Sequence, residues 1–189
     1  MHFVLASASP RRLALLAQIG IVADVRPSNF AEIEGVDSSA YDVVRTNALG
    51  KGREVLQACQ KSDVVIAADT VVALNSKILG KPKDAAEAKA MLRSLSGRTH
   101  QVMTGVAIFH NERELIDVVT TAVCFRELTE AEIEAYVATG EPLDKAGAYG
   151  IQGYGALLVE TIDGCYNNVV GLPLTKLYQM LAELEVKLF

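Results

Sequence analysis

Side chains that hold metals or act as thiol nucleophiles are scarce in this sequence. Cys59, Cys124 and Cys165 are odd in number and widely spaced. They carry no zinc-ligand spacing and point to a reducing compartment. His2, His100 and His110 are scattered as well, which argues against a histidine-rich metal site. Positive charge is also short: 18 Lys and Arg stand against 23 Asp and Glu, a net charge of -5. An extended surface gripping nucleic acid through its phosphates is therefore not expected, and any bound anion should meet a local basic cluster. No apolar run reaches the length of a membrane span, and a first strand starting at residue 3 leaves no room for a signal peptide. The expected location is the cytoplasm, with no membrane partner. Neither a Walker sequence nor GxSxG occurs, and "GIQGYG" has the wrong glycine order for a dinucleotide fingerprint.

What is present suits an ordinary globular fold. The 189 residues are 50% hydrophobic and 22% charged, enough for one domain over residues 1–189 with a substantial core. Phe3 to Ala6 read as a buried strand, "VADVR" as a second, and "DVVIAA" as a third that meets Asp69. "VVAL", "NS" and "KIL" form a hairpin or tight bend, and two long strand-like runs flank "HNER". Ser39, Asp84 and the "TEAE" capping box at Thr129–Glu132 should start helices, with the last of these stopping at Gly140. After the glycine-dense loop, "ALLVETI" and "CYNNVV" read as strands around a "DG" turn. Pro173 opens a final helix presenting Leu174, Leu177, Tyr178 and Leu181. This order of elements predicts an α/β fold around a mixed, twisted sheet flanked by helices.

Two local features resist a purely structural reading. In "LASASPRRLALLAQIG", Ser9 and Pro10 look like the start of a helix, which puts Arg11 and Arg12 at the positive end of its dipole. Each arginine there loses roughly 0.3–1 kcal/mol. Phosphate oxygens on the adjoining Ser-rich turn would offset that loss through charge-assisted hydrogen bonds; the alternative is that both side chains reach into solvent. Asp69, in turn, interrupts the apolar run "VVIAADTVVAL". An ionised carboxylate there needs a cation or donors, which a metal ion would supply, and it could take a proton from water. Otherwise it is a strand-end aspartate turning with Thr70.

Weaker candidates surround these two. Glu32, in the polar loop "PSNFAEIEGVDSS", is the best second metal-directed carboxylate, with Glu34 and Asp37 as neighbours. Lys51 and Lys81 are surface lysines by default, yet with the arginines they could neutralise a polyphosphate. In "DKAGAYGIQG", Gly147, Gly150 and Gly153 permit close backbone approach. The Gln152 amide there can donate to and accept from a base edge, unless the loop is only a wide turn.

Taken in order, "SASPRR" at 7–12, Glu32 in "NFAEIE", "NALGKG" around Lys51, "AADTVV" around Asp69, "LGKP", "SGRTHQVMTGV", "EPLDKAGAYGIQG" and "VVGLPL" resemble the Maf family of nucleoside triphosphate pyrophosphatases. One departure is Gly52, where the family commonly carries alanine. The resemblance implies a two-lobed α/β fold with a central cleft, related to inosine triphosphate pyrophosphatases, often a homodimer. It implies metal-assisted cleavage between the α and β phosphates, with Mg2+ or Mn2+ held by Glu32 and Asp69 and with Asp69 as proton acceptor. Ser7, Ser9, Arg11, Arg12, Lys51, Lys81 and Lys145 would hold phosphates. Arg11, Thr70 and Gln152 match the branch that prefers dTTP and UTP, including modified-base relatives, and would select the base. The rival expectation is a nucleotide-binding regulator of septum formation without turnover.

Overall fold

The computed structural model describes residues 1–34 and 38–189; Gly35, Val36 and Asp37, the last one of the loop acids named above, lie outside the described residues. The chain runs β1 (Phe3–Leu5), α1 (Pro10–Gln18), β2 (Ala23–Val25), α2 (Ala40–Leu56), β3 (Val64–Leu74) and β4 (Lys77–Leu79). It continues through α3 (Ala85–Leu95), β5 (Thr99–His110), β6 (Arg113–Phe125), α4 (Glu130–Ala138), β7 (Val159–Asp163), α5 (Tyr166–Val170) and α6 (Leu174–Glu183). The strands form one seven-stranded mixed sheet in the order β2-β1-β3-β5-β6-β7, with β4 paired to β3. β1 runs parallel to β2 and β3, while the remaining pairs are antiparallel.

The expected caps are in place. Ser9, Ser39 and Asp84 each accept from a backbone N–H three residues on, and Thr129 and Glu132 complete a capping box. Asn111 and Glu112 both take positive φ in the two-residue turn between β5 and β6, the backbone that suits the twist of a tight hairpin.

Three expectations are corrected. "CYNNVV" is not a strand but the short helix α5. Asn168 inside it is fully buried and donates to Val102 O at 3.0 Å and Thr121 Oγ1 at 2.9 Å, so bonds to the sheet override its β-like pattern. Only Val159–Asp163 of the preceding run is strand, because residues 153–158 coil as a 3-10 turn. Tyr178 also faces outward on α6, stacked on Phe189.

Strand β3 organises the molecule. It is one continuous strand of eleven residues, so Asp69 sits at its middle rather than at its end. Side chains alternate across a strand: Val65 and Ala67 pack with Ala48 and Val55 of α2, while Ile66 and Ala68 pack with Leu16, Leu177 and Leu181 of α1 and α6. One edge of β3 pairs with β5 from Val65 to Ala73. The other pairs with β1 only up to Ile66 and with β4 only from Val72 onward. Between these partners the stretch 67–71 has no strand beside it among the described residues, and that gap is the floor of a cleft.

Candidate active site

The cleft has a volume of about 970 Å3, at the upper end of the range for small-molecule sites. All eleven candidate residues line it: Ser7, Ser9, Arg11, Arg12, Glu32, Lys51, Asp69, Thr70, Lys81, Lys145 and Gln152. They come from six separate stretches of chain that meet where β1 stops short. The chain leaves β1 at Ala6, makes the serine turn and enters α1 beside the open edge of β3.

Asp69 points to the α2 face and is buried, at 6% exposure. Lys51 Nζ lies 2.7 Å from its Oδ1, and Asn47 Nδ2 donates to its Oδ2 at 3.0 Å. Both side chains sit one turn apart on α2, the spacing that puts residues on one helix face. Helix α2 approaches this closely because Gly105 lies opposite Asp69 in the β3–β5 pairing. A Cβ at 105 would stand 2.4 Å from Val44 O of α2. Asn47 was not singled out in the sequence, since an asparagine inside a helix has no local signature of a role. It also clamps the loop before α2, accepting from Ile33 N at 2.9 Å and donating to Ile33 O at 3.2 Å. That clamp brings Glu32 within 2.8 Å of the same Lys51 Nζ. Lys51 is therefore not a surface lysine but a buried cation joining two carboxylates.

Arg12 stands on the other face. Its Nε donates to Gly171 O at 2.8 Å, Nη1 to Ser7 Oγ at 3.0 Å and Nη2 to Thr70 Oγ1 at 3.0 Å. Three of five N–H groups are thus used, leaving one on each terminal nitrogen, the fork that suits two oxygens of one anion. Among the described residues no carboxylate pairs with it within 4 Å. Burial lowers its proton affinity most, opposed chiefly by the field of Asp69 and less by Glu32; a guanidinium stays charged regardless. The acid and the arginine thus occupy one electrostatic neighbourhood although adjacent positions of β3 face opposite ways.

The remaining candidates are arranged around this centre. Ser7 Oγ also accepts from Ser9 N at 3.2 Å, so the serine turn is braced internally. Arg11 Nη1 pairs with Asp144 Oδ2 at 3.2 Å, and Lys145 Nζ with Asp144 Oδ1 at 2.6 Å. Asp144 therefore ties the start of α1 to the glycine-dense loop, and its two cationic partners hold its carboxyl below the usual range against the opposing effect of burial, which is the largest single influence. Lys81 and Gln152 are exposed at the rim. Tyr149 reaches the cleft with its hydroxyl 2.7 Å from His100 Nε2. Burial pushes His100 down to about 4, so the ring is neutral at pH 7. A cationic fork without a carboxylate partner beside a tethered carboxylate can hold a phosphate chain and take a proton from water next to it.

The family model described as Maf-like protein matches residues 2–184. A dTTP/UTP pyrophosphatase of Bacillus cytotoxicus is 50% identical over 183 residues, covering 97% of this chain and 95% of that protein. A dTTP/UTP pyrophosphatase of Gloeobacter violaceus is 48% identical over 189 residues, covering 100% and 99%. One from Clostridium botulinum is 46% identical over 186 residues, covering 97% and 99%. Likeness to solved structures is looser: the Ham1 protein of Staphylococcus aureus shares 18% identity at a TM-score of 0.48, over 66% of this chain and 72% of that one. A match running almost from end to end leaves one assignment: the chain belongs to the Maf-like protein family.

Proposed function

We propose that this chain is a nucleoside triphosphate pyrophosphatase that hydrolyses dTTP and UTP to the monophosphate and pyrophosphate. The observation that carries the reading is the juxtaposition of Arg12, with two N–H groups to spare, and Asp69, held from behind by Lys51 and Asn47, in one cleft. The names of the relatives support the choice of nucleotides.

Water attacks the α phosphorus, the bond from that phosphorus to the bridging oxygen breaks, and the pair of electrons leaves with pyrophosphate. Asp69 takes the proton of the attacking water. Arg12 meets charge growing on the phosphate oxygens, joined by Lys81 at the rim and by Arg11 and Lys145 once phosphate competes with Asp144 for them. Ser7 and Ser9 shape the turn that presents Arg12. The Gln152 amide offers both a donor and an acceptor to a base edge.

The residues present fit a divalent cation. Glu32 and Asp69 converge on a single positive centre, now the Lys51 ammonium, at 2.8 and 2.7 Å. Two carboxylates completed by phosphate and water are the hard-oxygen set that Mg2+ or Mn2+ takes, and among the described residues no third acid, histidine or cysteine joins them. When bound, the ion would neutralise phosphate charge. The wider reading has the chain act as one domain, paired as a homodimer and in the cytoplasm; its three cysteines are free, and no described helix is long and apolar enough to cross a membrane.

The test is a panel of nucleoside triphosphates on the purified chain, with and without Mg2+, read by pyrophosphate release. Release from dTTP and UTP above purine nucleotides is expected. Tight binding without release from any nucleotide would replace the enzyme with the regulator.

A further inference from the structure

Gln152 stands exposed at the rim of the cleft, in a stretch from 150 to 155 that holds Gly150, Gly153 and Gly155. A loop with so much freedom in the unfolded chain needs outside bonds to present an amide in one place. Glu141 supplies them. Its Oε2 accepts from Tyr154 N at 3.0 Å and its Oε1 from Gly155 N at 3.1 Å, on the C-terminal side of Gln152. Oε1 also accepts from the Tyr136 hydroxyl of α4 at 2.9 Å, and that hydroxyl accepts in turn from Gly150 N at 3.3 Å, on the N-terminal side. One carboxylate thus closes both ends of the loop around Gln152. The glycines let the chain come this close. Gly153 takes φ +66°, and a Cβ there would stand 2.6 Å from Glu141 Oε2; one at Gly155 would stand 2.1 Å from Gly150 O. Lys145 leaves this carboxylate alone, donating through Nζ to Asp144 Oδ1 and to the backbone oxygen of Glu141. The bonds that hold Arg12 and Asp69 come from Gly171, Ser7, Thr70, Lys51 and Asn47, so Glu141 has no part in the phosphate centre.

We propose that Glu141, together with Tyr136, is a positioning residue for Gln152, fixing the loop so that the glutamine amide meets one base edge and rejects others. The proposal rests on the base-reading role of Gln152 given above. Discrimination by an amide depends on where its donor and acceptor stand, because a wrong base then leaves a polar group unpaired. A loop that samples several conformations would meet any base loosely and lose that penalty. The same bonds explain why residue 141 is an acid. All three partners of its side chain donate, and only a carboxylate accepts on both oxygens. A glutamine there would turn an N–H of its own on the N–H of Tyr154 or of Gly155.

Two readouts on the full chain test it: the ratio of kcat/KM on UTP to that on GTP, and calorimetric affinity for inorganic pyrophosphate. Glu141→Gln and Tyr136→Phe, which keep shape and break part of this network, should each lower the UTP-to-GTP ratio about ten-fold. Pyrophosphate affinity should stay at the wild-type value. Gln152→Ala should lower the ratio as well, and adding Glu141→Gln to it should cost little more, since both act through one amide. A wild-type ratio in Glu141→Gln overturns the proposal. So does weakened pyrophosphate binding in that variant, or a full additional loss in the double variant, since either marks a purely structural role. If Glu141→Gln fails to fold, Tyr136→Phe carries the same readouts. An unchanged ratio in Gln152→Ala overturns the base-reading role and the proposal with it; a changed ratio there with none in Glu141→Gln overturns the proposal alone. Should the wild type release pyrophosphate from no nucleotide, the enzymatic reading falls, and calorimetric affinities for UTP and GTP supply the ratio that decides this one.

Discussion

Lys51 Nζ lies 2.7 Å from Asp69 Oδ1 and 2.8 Å from Glu32 Oε1, so one ammonium holds a buried strand residue and a loop residue together. Removing the partner of such a cation is expensive where the ion is buried, yet an amide can still accept from Lys51. Asp69→Asn should therefore keep the fold, seen as an unchanged circular dichroism spectrum. Its turnover of dTTP should fall at least 10²- to 10⁴-fold, about the contribution of a positioned base. Near-normal turnover would remove Asp69 from the chemistry.

Two N–H groups of Arg12 meet no acceptor among the described residues, which implies that an anion stabilises the folded chain. Pyrophosphate at about 100 times its dissociation constant should add about 2.7 kcal/mol, or roughly 5–10 °C in Tm for a chain of this size. In Arg12→Ala that rise should vanish. An equal rise in both chains would place the anion elsewhere.

Gly52 sits within α2, where alanine would be the better helix former by about 1 kcal/mol. A Cβ there would stand 2.1 Å from Cε2 of Phe109, a ring only 2% exposed. Overpacking a core of this kind costs about 1–3 kcal/mol, so Gly52→Ala should lower stability in urea unfolding despite its propensity. Adding Phe109→Leu should cost less in Gly52→Ala than in the wild-type background. A more stable Gly52→Ala would show that the ring has room to move.

His100 makes acid stability measurable. Burial holds it near 4 in the folded chain against an ordinary 6.5, so the unfolded chain binds the proton first. The stability it confers is complete above pH 6.5 and is lost as pH falls from 6.5 towards 4, by up to about 3 kcal/mol. His2 works in the opposite sense, since Asp24 and Asp63 raise it. Comparing the wild type with His100→Phe keeps His2 constant: the variant should lack the His100 share of the slope between pH 6.5 and 4.5. Identical slopes would mean that the ring is protonated without penalty.

Much of the site was legible because its anomalies are local. Two arginines at a helix start and an acid inside an apolar run conflict with dipole and burial rules wherever the chain folds, so each demanded a partner. Asn47 and Glu141 broke no such rule. Their amide and carboxylate acquire meaning only from what stands opposite them, across the α2–β3 packing and in the loop around Gln152. The misreading of "CYNNVV" has the same origin, for Asn168 is helical on account of bonds to Val102 and Thr121 more than forty residues away.

By itself the sequence determined most of the elements, where the helices begin, and that residues 11, 12 and 69 need charged company, because propensity, capping and burial act over a few neighbouring residues. Only the tertiary structure decided which company each keeps. β1 ends three positions before Asp69 is reached on β3, and Gly105 lets α2 come down on the sheet. Asp69 then meets Lys51 on one face while Thr70 meets Arg12 on the other, a division set by strand pairing between distant segments.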